Sequence, residues 1–498
     1  MNRLKKVGAV FVIIILNLLV FGIIALNVFV IWKDFSQWIM ILAAVLDIAV
    51  VLLIAKKVFA GKATRIIAVS ITSVFAVLCV LFAYACPYWN SDGHKLSERP
   101  VLYYENSDLT KKEALDDLDE VMDYLRKYHV SFVDGLTPEV QAKYEEVRGD
   151  FESKDTVSRI ELVRGVRSIL HEIHDAHTSF NSWNHMLLSD GPEMESKGYS
   201  IYSVNGITEE RMKELVEPYY SYETPRWISV DMERLFYLDL CEVEAPYEVV
   251  WKNGDGDEES CTYNRDDFIT SDEYYDLLNK YLPSEDKNDD YVYYEIDEEK
   301  SVAVLTLKHC WTSSHYRKVL REMFTEIKEK NIQNLAVDLR GNGGGDTYVV
   351  NELFKYLPVD TYYQCDNFRK IRWNFLTFDQ GGITKNKRNK ELEFDGKVYV
   401  LTDEHSFSAS MVFAEMIVDN GLGKVIGESP AEACNSCGEI TQFYFDDIGM
   451  WLSVSTDYNA RIDPSKGDYI EPDYPCAGEE VIDTLYDVVI LEDDLNSR

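Results

Sequence analysis

Asn334-Leu335-Ala336-Val337-Asp338-Leu339, running into Arg340-Gly341-Asn342-Gly343-Gly344-Gly345-Asp346, decides the fold. A short apolar run bounded by turn-forming residues reads as a buried strand. The stretch 347–357 behind it reads as a helix. Residues 302–307, 398–402 and 424–427 are further short apolar strands, and a helical stretch also follows 398–402. Strand and helix in alternation predict an α/β core with buried parallel strands.

The glycines between that strand and helix let backbone N–H groups point into a concavity suited to an anion or an oxyanion. Phosphate binding would call for the Gly-Lys-Ser/Thr of a P-loop or the spaced glycines of a dinucleotide fold, and neither is matched in full. A purely structural turn is the weaker account of four glycines in five residues. A second stretch, Val398 to Thr402 followed by Asp403-Glu404-His405-Ser406-Phe407-Ser408-Ala409-Ser410, runs from a strand through a tight turn into a helix. Ser408 then sits at a helix start with the following amide free, the logic of a nucleophile elbow. An isolated serine in that setting would be an ordinary N-cap. A third stretch, His171-Glu172-Ile173-His174-Asp175-Ala176-His177-Thr178, misses the His-Glu-x-x-His metalloprotease pattern by one position. His171 and His174 could share a helix face, although surface histidines at a helix end are the commoner case. His177 lies past the helical pattern, in a loop.

Charge divides the chain. Residues 1–90 hold 8 Lys/Arg against 2 Asp/Glu, leaving 42 against 84 for the remainder, so a part near +6 precedes one near −42. Such an acidic body repels phosphate backbones, which excludes nucleic acid as a partner. Residues 7–32, 38–55 and 66–85 are three apolar stretches close to the roughly 20 residues that cross a hydrocarbon layer. They predict a bundle of three transmembrane helices in a multi-pass cell-membrane protein. The first stretch is too long for a signal peptide and ends at Trp32-Lys33 with no cleavage pattern. Arg3, Lys5, Lys6, Lys56, Lys57, Lys62 and Arg65 flank the spans on one side and Lys33 alone on the other, placing everything after Cys86 outside the cell. Asp47 falls mid-span and reads as a carboxyl paired within the bundle or neutral. Seven cysteines follow Cys86, and Cys434-x-x-Cys437 reads as a disulfide or as plain thiols, since no second pair completes a zinc site.

Four regions follow: 1–90 in the membrane, a helical subdomain over 100–182, a middle region over 183–290, and the α/β core over 291–498. Residues 87–99 read as a linker and 284–290 as a solvated loop. Helical spacing recurs over 111–128 and 157–173, and the middle region carries a strand over 199–204, an Asn205-Gly206 turn, a helix over 209–215 and strands over 247–251 and 260–264.

Together these stretches resemble the S41 family of serine peptidases, the tail-specific and tricorn-like proteases. The Asp-Leu-Arg-x-Asn-x-Gly-Gly strand end, the Leu-Thr-Asp-x-x-Ser-x-Ser-Ala-Ser turn and Val425-Ile426-Gly427-Glu428 match it in order and spacing. Asp175-x-His177-Thr178 is similar to its Asp-Gly-His-Thr loop, and the middle region to one that is PDZ-like in many relatives. The resemblance implies a ClpP/crotonase-like core, a protein or peptide substrate, and neither metal nor organic cofactor. It places the nucleophile on Ser408 and the oxyanion hole on the amides of Ala409 and Gly344 or Gly345. The family uses either a Ser-Lys dyad or a Ser-His pair oriented by a carboxylate. Residues 427–441 contain no lysine, with Ala433 and Cys434 near its expected place, so His177 is the expected base. Asp463, Asp468 and Glu471 all qualify as the orienting carboxylate, of which Asp463 is taken. The expected function is thus a membrane-anchored extracytoplasmic serine endopeptidase. Its rival is a catalytically inactive peptide-binding or sensing module, which Ser408 and His177 held far apart would favour.

Overall fold

The computed structural model describes residues 2–29, 37–59, 61–85, 108–182, 185–282, 290–370, 377–446 and 448–496. The expected linker at 87–99, Lys33, Cys86 and nearly all of the 284–290 loop lie outside them.

Helices Asn2–Phe29, Gln37–Val58 and Lys62–Ala85 pack against one another. Asn17 Nδ2 donates to Ile13 O at 2.8 Å and to Thr72 Oγ1 at 3.4 Å, tying the first helix to the third. Among the described residues one helix, Lys62–Leu81, is long and apolar enough to cross a membrane, and Val7–Gly22 is a shorter apolar one. The expectation of three spans is therefore not supported: the three helices are present, but one of them is a candidate span among the described residues. Asp47 is buried, and neither of its carboxylate oxygens has a hydrogen-bond partner among the described residues.

The helical region is built from Lys111–Tyr128, Pro138–Glu152 and Arg159–His171. Its helices start where local chemistry dictates: Thr110 with Glu113 and Ser158 with Glu161 form capping boxes, and Pro138 occupies a first-turn position that needs no N–H. Ala114, Leu118, Val121, Met122 and Leu125 are buried at helical spacing, as the sequence pattern requires. In the middle region Tyr199–Val204, Ile207–Thr208, Tyr247–Asn253 and Glu258–Tyr263 make a four-stranded antiparallel sheet.

The core is a six-stranded sheet. Its order is Val292–Asp297, Val302–Leu307, Asn334–Asp338, Lys397–Thr402, Gly423–Gly427 and Tyr474–Pro475, antiparallel at the first pair and parallel thereafter. Every residue of Asn334–Asp338 is buried, the mark of a strand covered on both faces. Helices Ser314–Lys330, Val349–Phe354 and Ala409–Asp419 cover one face. Val481, Leu485, Val488 and Val489 of the last helix, Val481–Asn496, cover the other by packing on Ala336, Tyr399, Leu401 and Ile426.

A second, antiparallel sheet joins the core to the helical region. The long strands Ser436–Phe445 and Met450–Ala460 form a hairpin; Thr361–Lys370 and Thr377–Lys385 extend it on one side, and Ser179–Asn181 pairs with Met450–Ala460. Tyr124 stacks on Phe443 with ring centroids 3.8 Å apart, and Tyr128 lies 5.1 Å from the same ring. The strand Ser179–Asn181 carries the chain out of the 171–178 loop, so this pairing brings that loop to the core.

Candidate active site

Two loops leave the carboxyl ends of adjacent parallel strands, where Asp338 pairs in register with Leu401. This is the position at which open α/β sheets place their ligands. The loops are laced together: Ser406 Oγ donates to Leu339 O at 2.8 Å, Phe407 N–H to Asn342 O at 3.0 Å, and Ser410 Oγ to Asn342 O at 2.7 Å. The Gly341 N–H donates to both oxygens of Asp403 at 3.0 Å, and Arg340 clamps Asp338 through two side-chain bonds of 2.7 and 2.9 Å. An alanine Cβ at position 344 would lie 2.6 Å from Ser408 Cβ and 2.7 Å from Phe407 O, so only glycine permits this approach.

Ser408 sits at the start of Ala409–Asp419 with φ 56° and ψ −121°, a strained conformation for a side-chain-bearing residue. Its side chain makes no capping bond, which separates it from an ordinary N-cap serine. Its N–H donates to Glu432 Oε2. The other oxygen of Glu432 faces His177, with Oε1 3.7 Å from Nδ1. The His177 ring is 11% exposed and stacks on Phe407 at 4.4 Å, and Phe407 in turn stacks on Trp227 at 4.1 Å. Neither ring nitrogen of His177 makes a hydrogen bond with any described residue, so the Ser408 to His177 bond is not formed in this conformation. Catalytic hydrogen bonds commonly tighten only when substrate arrives.

Asp175 holds the histidine loop. Its Oδ1 accepts from the His177 N–H at 2.9 Å, and its Oδ2 accepts from Thr178 Oγ1 at 2.5 Å and lies 3.0 Å from His129 Nε2. His129 Nδ1 accepts from the Ser131 N–H, so Nε2 carries the proton given to Asp175. Burial would raise the Asp175 carboxyl, but the hydrogen bond from His129, with His177 and Thr178 after it, holds it below the usual range. Glu223, whose Oε1 accepts from the Ala176 N–H at 3.2 Å, behaves oppositely. Burial, then Asp175 and Glu432, push it up to about 9. Burial also raises Glu432, opposed by His177 and by its bonds to Ser436 and Ser408. Around the histidine loop, Asp175 is thus held low while burial raises Glu223 and Glu432.

Asp463 is not brought to His177. It caps the short turn Pro464–Lys466, where its Oδ1 accepts from Ser465 Oγ at 2.6 Å and from the Ser465 N–H at 3.1 Å. Glu432 takes the place beside the imidazole instead. The Gly344 N–H is likewise committed, donating to Asn342 Oδ1 at 2.8 Å, whereas the Gly345 and Ala409 N–H groups donate to no described residue. His171 gives its Nδ1 to a bond with Tyr220 O at 2.7 Å and lies edge-on to His174. His129, Asp175 and Cys437 bring three potential metal donors within 4.8 Å, but Asp175 Oδ2 is occupied by His129 and Thr178, so the group serves as a hydrogen-bonded brace. The described cysteines, Cys434 and Cys437 included, are free thiols; Cys86 and the Cys365 side chain lie outside the described residues.

Residues 301–476 match the model of peptidase family S41. Over these residues the chain is similar to the S41 peptidases. Its fold is similar to that of "mature CPAF complexed with lactacystin", with a TM-score of 0.53 at 10% identity over 78% of this chain and 98% of that one. It is also similar to "mature CPAF", with a TM-score of 0.50 at 10% identity over 74% and 94% of the two chains. At such identity these neighbours speak for the fold alone. The match supports a serine-type peptidase, a class of enzyme that acts on protein or peptide. The two laced loops both fall inside the matched segment, as does Cys437, while His177, Asp175 and His129 lie before it.

Proposed function

We propose that this peptidase is an endopeptidase anchored in a membrane with its catalytic part outside the cell, working through Ser408, His177 and Glu432. The observation that carries this reading is Glu432, one oxygen on the Ser408 N–H and the other facing the His177 ring. Ser408 Oγ attacks the scissile carbonyl, and His177 takes its proton and passes it to the leaving amine. The Glu432 carboxylate orients the imidazole and steadies the imidazolium. The N–H groups of Ala409 and Gly345 receive the oxyanion; Gly344 joins them only if its bond to Asn342 opens. Anchoring rests on the three N-terminal helices, which carry most of the exposed large apolar side chains among the described residues, Phe11, Leu18, Leu53, Ile71 and Leu78 among them. The basic-residue asymmetry supports the outside placement.

The full chain in detergent should hydrolyse a peptide library and react with a fluorophosphonate probe, and Ser408→Ala should lose both while keeping its melting temperature. Retained turnover in that variant would sink the assignment. In intact cells an impermeant protease should digest the part after residue 108; full protection would overturn the outside placement.

A further inference from the structure

The segment 219–227 grips the histidine loop at two successive amides. Ser221 Oγ accepts from the Asp175 N–H at 2.9 Å and Glu223 Oε1 from the Ala176 N–H at 3.2 Å, immediately before His177. Trp227, at the far end of the segment, stacks on Phe407, whose ring in turn stacks on His177. The segment is itself anchored, since Arg167 Nε donates to Tyr219 O at 2.7 Å and Tyr469 Oη to Glu223 O at 3.3 Å. It therefore touches both the backbone that carries the imidazole and the ring packed on its face.

Glu223 is the ionisable side chain in this grip. The residue is half-buried, its Oε1 is engaged by Ala176, and its Oε2 is buried with no hydrogen-bond partner among the described residues. The titratable groups around it are Asp175 from the histidine loop, Glu432 from the segment between Gly423–Gly427 and Ser436–Phe445, Cys437 from the latter strand, and Tyr469, bonded to its carbonyl. None of these is a cation. A third carboxylate beside Asp175 and Glu432 would stand unpaired among like charges. A neutral carboxyl keeps the acceptor on the Ala176 N–H without that cost, in line with the rise of Glu223 to about 9 under burial and those two neighbours.

We propose that Glu223 is a positioning residue for His177, a neutral carboxyl that holds the Ala176 N–H and so keeps the imidazole beside Glu432. The proposal rests on the peptidase reading, in which His177 is the base, and adds the group that sets its place. Once ionised, Glu223 is repelled by Asp175 and Glu432, and in moving off it releases Ala176 and the loop that presents His177. Turnover is then limited on the alkaline side by a carboxyl that never meets the substrate.

The full chain in detergent is assayed on one peptide across pH, at a temperature well below its melting transition. Its kcat should fall about tenfold for each pH unit above about 9, as expected when one proton is essential. Glu223→Gln, which keeps the acceptor and cannot ionise, should lose that fall, whereas Glu223→Ala should lower kcat at least about tenfold with KM little changed. A second readout needs no turnover. In the full-length Ser408→Ala variant with isotope-labelled histidine, the His177 resonance, identified by its loss in His177→Asn, should shift with the same alkaline titration and stop shifting when Glu223→Gln is added. An alkaline fall unaltered in Glu223→Gln, with no such titration at His177, would overturn the role of Glu223 and leave the peptidase reading standing. Peptides left intact by the unmodified chain, with the titration at His177 present, would remove the peptidase reading and support the placement of His177 by Glu223.

Discussion

Glu432 shows how little a charged residue's identity says about its task. The chain has 86 acidic residues, so a carboxylate for His177 could be sought almost anywhere. What marks Glu432 is burial to 1% exposure in a segment without regular structure, and that is a property of the fold. A usable signal did exist: the segment lacks the lysine of the dyad branch, and Glu432 sits next to where that lysine would fall. Ser408 and His177 could be proposed from the sequence because each stands in a short motif whose neighbours constrain it. Glu432→Gln should lower kcat by about 10²- to 10⁴-fold, since an orienting carboxylate sets the tautomer of its histidine. Asp463→Asn, whose side chain serves the Ser465 turn, should stay within about twofold, a local effect with no link to the imidazole. Steady-state kinetics on one peptide decides between them, and the reverse ranking would restore Asp463.

At the scale of elements, the parallel strands and the helices behind them could be read because buried strands are short continuous apolar runs. The hairpin Ser436–Phe445 and Met450–Ala460 was invisible for a related reason: Met450 through Asp457 are buried without a break, so no alternation announces a sheet separate from the core. Long-range pairing of this kind depends on partners far off in the chain, here Ser179–Asn181 and Thr361–Lys370. Two predictions belong at this scale. Gly344→Ala should cut turnover by more than about a hundredfold and cost about 1–3 kcal/mol of stability, because its Cβ pries the two loops apart. Gly343→Ala, where an added Cβ meets nothing within 4 Å, is the control that should remain active. Tyr124→Ala, which removes the stack on Phe443, should destabilise the chain by about 3 kcal/mol in a denaturant titration. An unchanged midpoint would show that the helical region docks by other contacts.

For the molecule as a whole, three glutamates set the response to pH, Glu415 buried and Glu223 and Glu233 half-buried. Burial is the leading cause in each case: it pushes Glu223 up to about 9, and Glu233 and Glu415 up to about 8. In the unfolded chain the same groups ionise near the free value of about 4.3. Folding therefore takes up protons in this window, and the stability these groups contribute at acid pH is lost as pH rises from about 5 to about 9. Asp175 runs the other way, and its contribution is lost only as pH falls below the usual carboxylate range. Melting temperature should fall across that window, and Glu223→Gln with Glu415→Gln should flatten the curve. A curve equally steep in the double variant would mean that other groups carry it.

The two halves of the proposed catalytic pair come from opposite sides of the junction between the helical region and the parallel core, His177 from one and Ser408 with Glu432 from the other. This has a bearing on how the chain is made. A ribosome completes the base long before the nucleophile, and the carboxylate that lies against both emerges later still. A nascent chain thus carries no working centre until the hairpin has been synthesised and has captured the Ser179–Asn181 strand. On the proposed mechanism, the order of translation alone leaves a half-made chain without a complete centre.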